Sequence, residues 1–146
     1  MSASKVISVS TSMKEGCQVH ADIRGHKVTI DQPKQAGGTD EGPTPLEFFL
    51  FSLGGCIASI ARIAATQQKI EMRGIDIDVD GTMNPAGLLG KPTEDRIGFQ
   101  TITVRAKIDA DLSDEEKARF LEEVCHRCPL DDNIMLETEV THSLVQ

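Results

Sequence analysis

An apolar helix predicted between Gly42 and Lys69 constrains this chain more than any other feature. Thr44 is a typical capping residue, and Pro45 suits the first helical position. Glu47 lies three positions after Thr44, which is the spacing of a capping box. The residues after Glu47 are apolar nearly all the way round, and a helix that is apolar on every face is normally buried on every face.

The uncharged segment of the predicted helix is too short to span a membrane. The run from Phe48 to Ala61 has no charge and is bracketed by Glu47 and Arg62. A span needs roughly 18–20 apolar residues, so we expect a core helix and no membrane. One sheet face covers only part of such a helix, and a chain of 146 residues offers little else. The sequence therefore predicts an obligate homodimer in which a second copy covers the remainder.

The charge, length and composition of the chain limit its partners, its domain number and its compartment. The net charge of −8 argues against nucleic acid and anionic membranes as partners. The length predicts a single domain over residues 1–146. Residues 1–30 contain no apolar run behind a basic start, so we expect a cytoplasmic protein. In that compartment paired cysteines indicate redox or metal chemistry more often than structural disulfides.

Alternating apolar and polar residues predict most of the strands before the helix. Residues 5–12 alternate in this way, and two more strands are expected between Cys17 and Ile30, turning at Arg24-Gly25-His26. Residues 31–43 are rich in Gly, Pro and polar residues. We interpret them as a loop long enough to have a function of its own.

The second half of the chain repeats the order of strands followed by helix. Strands are predicted over 75–80 and 99–108, and Ser113 with Glu116 forms a capping box for a second helix. That helix should end or bend near Cys128-Pro129, and residues 137–145 predict a last strand. The order indicates an α+β fold with a mixed or antiparallel sheet.

Cys56 lies in the middle of the predicted helix, directly after Gly54 and Gly55. Two interior glycines each cost roughly 1 kcal/mol relative to alanine, which indicates close approach of another backbone or of a ligand. Cys56 has two interpretations that both remain open: a small buried hydrophobe, or a reactive thiol.

A reactive thiol needs positive charge nearby to stabilise its thiolate. Cys56 is too far from the start of its helix for the helix dipole to supply that charge. Arg24 and Lys14, both at predicted turns, are the candidates, with ordinary solvated turn residues as the alternative. The helix face around Cys56 is mostly apolar and suits an organic hydroperoxide. Attack by the sulfur would give a sulfenic acid that a second thiol resolves.

Cys125 and Cys128 form a Cys-His-Arg-Cys cluster before Pro129. A CxxC pair can be a redox motif or half of a zinc site. Cys17 and the histidines at 20, 26 and 142 offer no second close pair of ligands, so a resolving thiol is the leading interpretation.

Three motifs resemble the OsmC/Ohr family of osmotically inducible and organic hydroperoxide resistance proteins, and in particular its OsmC-like branch. They are Gly-Pro-Thr-Pro-Leu-Glu at 42–47, Gly-Gly-Cys ending at Cys56, and Cys-Pro-Leu at 128–130. The resemblance implies an intertwined homodimer with its central helices buried between two sheets. It also implies a stress-response thiol peroxidase with Cys56 as the peroxidatic and Cys128 as the resolving thiol. Dithiols such as protein-bound lipoyl groups would supply the reducing power, with no metal or organic cofactor.

The chain departs from the hydroperoxide-resistance branch at two positions. That branch has Glu directly after the proline, where this chain has Leu46, with Glu47 one residue later. Successive side chains on a helix point about 100° apart, so Glu47 can point away from the position of the branch's Glu. Glu47 would then serve only in the capping box. The branch's Arg falls on Lys14, which lacks the planar fork that pairs a carboxylate, and Arg24 is its possible substitute.

Two other functions stay open on the sequence. The same fold can hold an apolar or sulfur-containing small molecule, with weak or no peroxidase activity. Alternatively, Cys125 and Cys128 can form an isolated redox switch.

Overall fold

A computed structural model describes residues 3–146 and divides into two compact units. The first unit ends at Phe49, and the second runs over Leu50–Gln146. Together they contain two small sheets and three α-helices, which confirms the α+β class. The assignment of residues 1–146 to one domain stays a prediction.

The first unit is built on a three-stranded antiparallel sheet in the order β1-β2-β3. The strands are β1 (Thr11–Met13), β2 (Val19–Ile23) and β3 (His26–Ile30). Arg24 and Gly25 join β2 to β3 with φ values of 54° and 89°. Two positive φ values in a two-residue loop match the twist of an antiparallel hairpin, so the predicted turn is confirmed.

The strand predicted over residues 5–12 is wrong in extent. Only Thr11–Met13 pairs with β2, and residues 3–10 form no strand. Val6 and Ile7 are exposed. Alternation gives these residues strand propensity, but a strand also needs a paired neighbour and a surface to pack on, and the described chain provides neither here.

The loop after β3 is organised around the buried carboxylate of Asp31. Asp31 accepts hydrogen bonds from the N–H of Gln32 (2.7 Å), the hydroxyl of Thr39 (2.8 Å) and the N–H of Glu41 (3.0 Å). The loop includes a single 3₁₀ turn at Lys34–Ala36. A Cβ on Gly38 would collide with the Gln32 carbonyl and with Asp31, so only glycine fits there. The long predicted loop is thus an ordered structure.

Helix α1 (Pro45–Gln67) begins with the predicted capping box. The Glu47 N–H donates to the Thr44 hydroxyl (3.2 Å), and the Thr44 N–H donates to the Glu47 carboxylate (2.9 Å). These two bonds satisfy groups that the first helical turn leaves unpaired. The bond from the Thr44 N–H lowers the pKa of Glu47, because it stabilises the charged carboxylate, and the Thr44 side chain acts in the same direction.

One side of α1 is buried in the core of the second unit and the other is exposed. The buried residues are Leu53, Ile57, Ala61, Ala64 and Ala65. Phe51 is 71% exposed and Ile63 is 46% exposed. By length and composition alone, α1 could cross a membrane. Its packing in the apolar core is consistent with a core helix, and no membrane is indicated, but the burial expected on every face is not observed.

The second unit adds a two-stranded antiparallel sheet of β4 (Met72–Thr82) and β5 (Thr101–Ala110). Asp76, Asp78 and Asp80 of β4 are exposed, as the alternation predicted. Helix α2 (Asp114–His126) starts with the predicted capping box of Ser113 and Glu116. Phe120 and Val124 of α2 are buried in the same core as α1. The two predicted strands and the second helix are confirmed.

Two features near the C-terminus differ from the predictions. A short helix, α3 (Pro129–Met135), follows α2, and the strand predicted over 137–145 is absent from the described chain. Val140 and Leu144 are exposed, and residues 137–146 have no strand partner. As at residues 5–10, alternation alone does not make a strand where no edge pairs with it.

Candidate active site

The glycines before Cys56 have different surroundings. A Cβ on Gly54 would lie 3.3 Å from Val79 Cγ2 and 3.7 Å from Ile77 Cγ2, so α1 packs closely on β4 at this point. A Cβ on Gly55 would meet nothing within 4 Å. The sequence predicted another backbone or a ligand close to these glycines, whereas at Gly54 the close neighbours are side chains of β4. Gly55 leaves open space beside Cys56.

Cys128 is held at the start of α3. Pro129 occupies the first helical position, and the Cys128 sulfur accepts a hydrogen bond from the Asp131 N–H at 3.4 Å. Cys128 is only 1% exposed and belongs to the apolar core. The Cys128 sulfur takes the place of the oxygen that usually caps a helix, so a backbone hydrogen bond fixes its position. The surrounding apolar core also holds it.

Cys56 and Cys128 meet within the second unit. The Cys56 thiol lies beside the Cys128 thiol and the Leu130 N–H, and both influence its protonation. Both cysteines are free thiols, and Cys56 is partly exposed while Cys128 is buried. Two neighbouring thiols of this kind allow one sulfur to attack the other after oxidation.

The immediate surroundings raise the pKa of Cys56. Burial is the main cause, and the neighbouring Cys128 adds to it by hydrogen bonding and by charge. The Leu130 N–H acts in the opposite direction, because it stabilises the thiolate. These neighbours position the Cys56 sulfur, but they favour its protonated form.

Cys125 is the third thiol of this cluster. It lies in the last turn of α2, is partly exposed, and accepts a backbone hydrogen bond from the Cys128 N–H at 3.2 Å. Burial raises the pKa of Cys125, with smaller contributions from the charges of Asp131 and Cys128. Cys128, rather than Cys125, is the cysteine that contributes to the raised pKa of Cys56.

Four of the residues singled out in the sequence lie in the first unit. Arg24 is exposed in the β2–β3 turn, and Lys14 is exposed just after β1. Glu47 is occupied by the capping box of α1. The Cys17 thiol donates a hydrogen bond to the Gly37 carbonyl at 3.5 Å. Activation of Cys56 by Arg24 or Lys14 stays a prediction.

The structure adds two residues that sequence reasoning missed. Leu130 contacts Cys56 through its backbone N–H, and Asp131 contacts Cys128 in the same way. Both belong to the first turn of α3. The signal for α3 was present in the sequence, since proline at the first helical position followed by aspartates is a typical helix start. Within residues 3–146, no group of three or more His, Cys, Asp or Glu residues could hold a metal ion.

The family is decided by a match that covers most of the chain. Residues 38–143 match the family of OsmC-like proteins, and this range contains α1 and all three clustered cysteines. The chain belongs to the OsmC-like family. The resemblance seen in the sequence motifs is thus confirmed. No curated protein matches the chain in sequence.

Solved structures of other OsmC-like and related proteins share the fold. An OsmC-like protein from Mycoplasma pneumoniae is 22% identical with a TM-score of 0.78, over 91% of this chain and 89% of its own. An organic hydroperoxide resistance protein OsmC from Legionella pneumophila is 19% identical with a TM-score of 0.67, over 91% of each chain. One from Elizabethkingia anophelis, with thiocyanate bound, is 18% identical with a TM-score of 0.67, over 90% of this chain and 89% of its own. At these identities the similarity establishes the fold alone.

Proposed function

We propose that this OsmC-like protein is a thiol peroxidase that reduces organic hydroperoxides with two cysteines. The Cys56 thiol loses its proton, and the thiolate attacks the terminal oxygen of the hydroperoxide and breaks the O–O bond. A sulfenic acid is left on Cys56, and the alkoxide takes up a proton from water and leaves as the alcohol. Cys128 then attacks the Cys56 sulfur, and the oxygen departs as water while a Cys56–Cys128 disulfide forms. The position of the Cys56 thiol beside that of Cys128 is the observation that supports the proposal most directly.

Two further observations support an organic hydroperoxide as the substrate. Cys56 packs against the apolar core cluster of the second unit, so part of its surroundings suits an alkyl or aryl group. Proteins of the same fold from Legionella pneumophila and Elizabethkingia anophelis are organic hydroperoxide resistance proteins. The protein would act against oxidative stress in the cytoplasm.

A dithiol would complete the cycle by reducing the disulfide, with a protein-bound lipoyl group as the proposed donor. In each turnover Cys56 passes two electrons to the hydroperoxide, and the dithiol later returns two electrons by reducing the disulfide. No metal or organic cofactor takes part in either step.

A positive charge from Arg24 or Lys14 would complete the activation of Cys56. The neighbours within the second unit raise the pKa of this thiol. A peroxidatic cysteine must be a thiolate, so an additional cation is needed to oppose burial. We assign Glu47 to the start of α1 and not to a pair with this cation, because its carboxylate is bonded to Thr44.

We further propose that the protein works as an intertwined homodimer of single-domain chains with α1 at its centre. The exposed apolar side of α1, which includes Phe51 and Ile63, supports this arrangement. A second copy would cover these side chains and bury α1 between two sheets.

The raised pKa of Cys56 also supports a second candidate function, that of a binding or redox-sensing protein with little peroxidase activity. In that case the thiols would respond slowly to peroxides, and the apolar surroundings of Cys56 would hold a small molecule. A ligand that copurifies with the protein, detected by native mass spectrometry without peroxide turnover, would favour this candidate.

Serine variants test the peroxidase proposal. Cys56→Ser should abolish the consumption of cumene hydroperoxide, whereas Cys128→Ser should consume one equivalent and leave a sulfenic acid that dimedone labels. Cys17→Ser is the matched control, because the Cys17 thiol is hydrogen-bonded to the Gly37 carbonyl and takes no part in the proposed reaction, and this variant should behave as the parent protein does. Equal consumption by Cys56→Ser and the parent would refute the proposal.

A further inference from the structure

We infer that Cys125 is a third redox-active thiol, which takes the disulfide over from Cys56 and sets Cys56 free before any external reductant acts. This inference rests on the proposed peroxidase function. Its basis is the arrangement of three free thiols, in which the Cys128 thiol lies beside that of Cys56 while the Cys128 backbone N–H donates to the Cys125 carbonyl.

The backbone between Cys125 and Cys128 permits a disulfide. The Cys128 N–H donates to the Cys125 carbonyl at 3.2 Å, which closes a tight turn over the four residues. Such a turn keeps the first and last Cα atoms within about 7 Å of each other. Disulfides need Cα atoms about 4.4–6.8 Å apart, so the turn brings the pair into the required range.

Cys128 is placed to exchange one partner for the other. It is 1% exposed, whereas Cys56 and Cys125 are both partly exposed. Its two neighbours belong to different helices, Cys56 to α1 and Cys125 to α2. A dithiol from solution cannot reach the buried sulfur of Cys128 as easily as the neighbouring Cys125 can.

The exchange needs no outside reagent. The Cys125 thiolate attacks the Cys128 sulfur of the Cys56–Cys128 disulfide, the Cys125–Cys128 bond forms, and Cys56 leaves as a thiolate. The proton that Cys125 loses is balanced by the one that Cys56 can gain. The chain remains oxidised by two electrons throughout. Because Cys56 is free again, it can reduce a second hydroperoxide and become a sulfenic acid.

The stoichiometry of the reduced protein without a reductant tests this inference. We expect the parent protein to consume two equivalents of cumene hydroperoxide per chain, twice the consumption of Cys125→Ser. After dimedone labelling, the parent should carry the label on Cys56 together with a Cys125–Cys128 disulfide. Cys125→Ser should stop at one equivalent with a Cys56–Cys128 disulfide. Cys17→Ser is the matched control and should consume two equivalents.

The result that overturns the inference is a parent protein that stops at one equivalent with only a Cys56–Cys128 disulfide. If hydroperoxide leaves Cys56 reduced, the proposed function fails, and a second measurement still tests the exchange. The reduced protein is oxidised with one equivalent of diamide at pH 8, equilibrated, quenched in acid and alkylated. A free Cys56 beside a Cys125–Cys128 disulfide supports the exchange, whereas a free Cys125 beside a Cys56–Cys128 disulfide overturns it.

Discussion

The side chain of Cys56, in the middle of α1, lies beside that of Cys128, the capping residue of α3. The first turn of α3 contributes to both positions, since the Leu130 N–H stabilises the Cys56 thiolate and the Asp131 N–H donates to the Cys128 sulfur. A sulfenic acid on Cys56 would therefore form beside its partner thiol, and the disulfide would need little rearrangement of the backbone.

The pH dependence of the reaction should identify the cation that activates Cys56. Burial and Cys128 raise the pKa of this thiol, and a nearby cation would lower it. Removing the cation should raise the pKa of Cys56, so the inflection in the plot of rate against pH should move to higher pH. At pH 7 the reaction should slow about tenfold for each unit by which that pKa rises. We expect this shift in either Arg24→Gln or Lys14→Gln, measured by stopped-flow oxidation with cumene hydroperoxide.

Lys27→Gln is the matched control for this prediction, because Lys27 is an exposed lysine of the same three-stranded sheet. It should leave the profile unchanged. Superimposable profiles for all three variants and the parent would show that neither Arg24 nor Lys14 activates Cys56.

Asp31 should stabilise the first unit in a manner that depends on pH. Hydrogen bonding, chiefly from the Glu41 N–H, lowers the pKa of Asp31 from 3.8 to about 2. A carboxyl group whose pKa is lower in the folded state stabilises that state above its unfolded pKa of 3.8, and the stabilisation is lost as the pH falls through about 2. Asp31→Asn should therefore lower the urea midpoint at pH 7, and its difference from the parent should shrink between pH 4 and pH 2.

Asp40→Asn provides the control for Asp31, since Asp40 is an exposed aspartate of the same loop and its φ of 59° is one that asparagine tolerates. Its urea midpoint should match that of the parent. Equal midpoints for Asp31→Asn and the parent at pH 7 would contradict the role given to the buried carboxylate.

The exposed side of α1 should be the part of the chain that holds the dimer together. Phe51 is 71% exposed, and covering it with a second copy would remove most of that apolar surface from water. Phe51→Glu would place a charge in that interface, so sedimentation velocity at low micromolar concentration should show a shift from dimer to monomer. Leu88→Glu alters an exposed leucine outside α1 and should remain dimeric. A parent protein that is monomeric would contradict the dimer itself.

Local chemistry made much of the fold predictable from the sequence. Thr44 with Glu47 and Ser113 with Glu116 define the helix starts by hydrogen bonds between residues three apart, so the sequence contains all the partners. Alternation over β4 was equally informative, because β5 pairs with that strand over most of its length. The strand predicted over 137–145 failed since its partner would have to come from a distant edge that alternation does not reveal.

The site was less predictable than the fold. Cys56 drew attention through its glycines, and Cys128 through its CxxC spacing, but neither pattern brings the two together. Their contact depends on the packing of α1, α2 and α3 in one core, which is a tertiary property. The resemblance to the OsmC/Ohr family, and not spacing, suggested the pairing. The CxxC spacing, by contrast, did predict that Cys125 and Cys128 can act as a redox pair.

Disulfide mapping after a single oxidation tests the central claim most directly. The reduced protein is mixed with one equivalent of cumene hydroperoxide, quenched with acid within seconds, and analysed by non-reducing peptide mass spectrometry. The account predicts a Cys56–Cys128 disulfide as the first product, followed by Cys125–Cys128 only at later times. A protein whose Cys56 remains reduced, or whose first disulfide joins Cys125 to Cys128 without passing through Cys56, would contradict it.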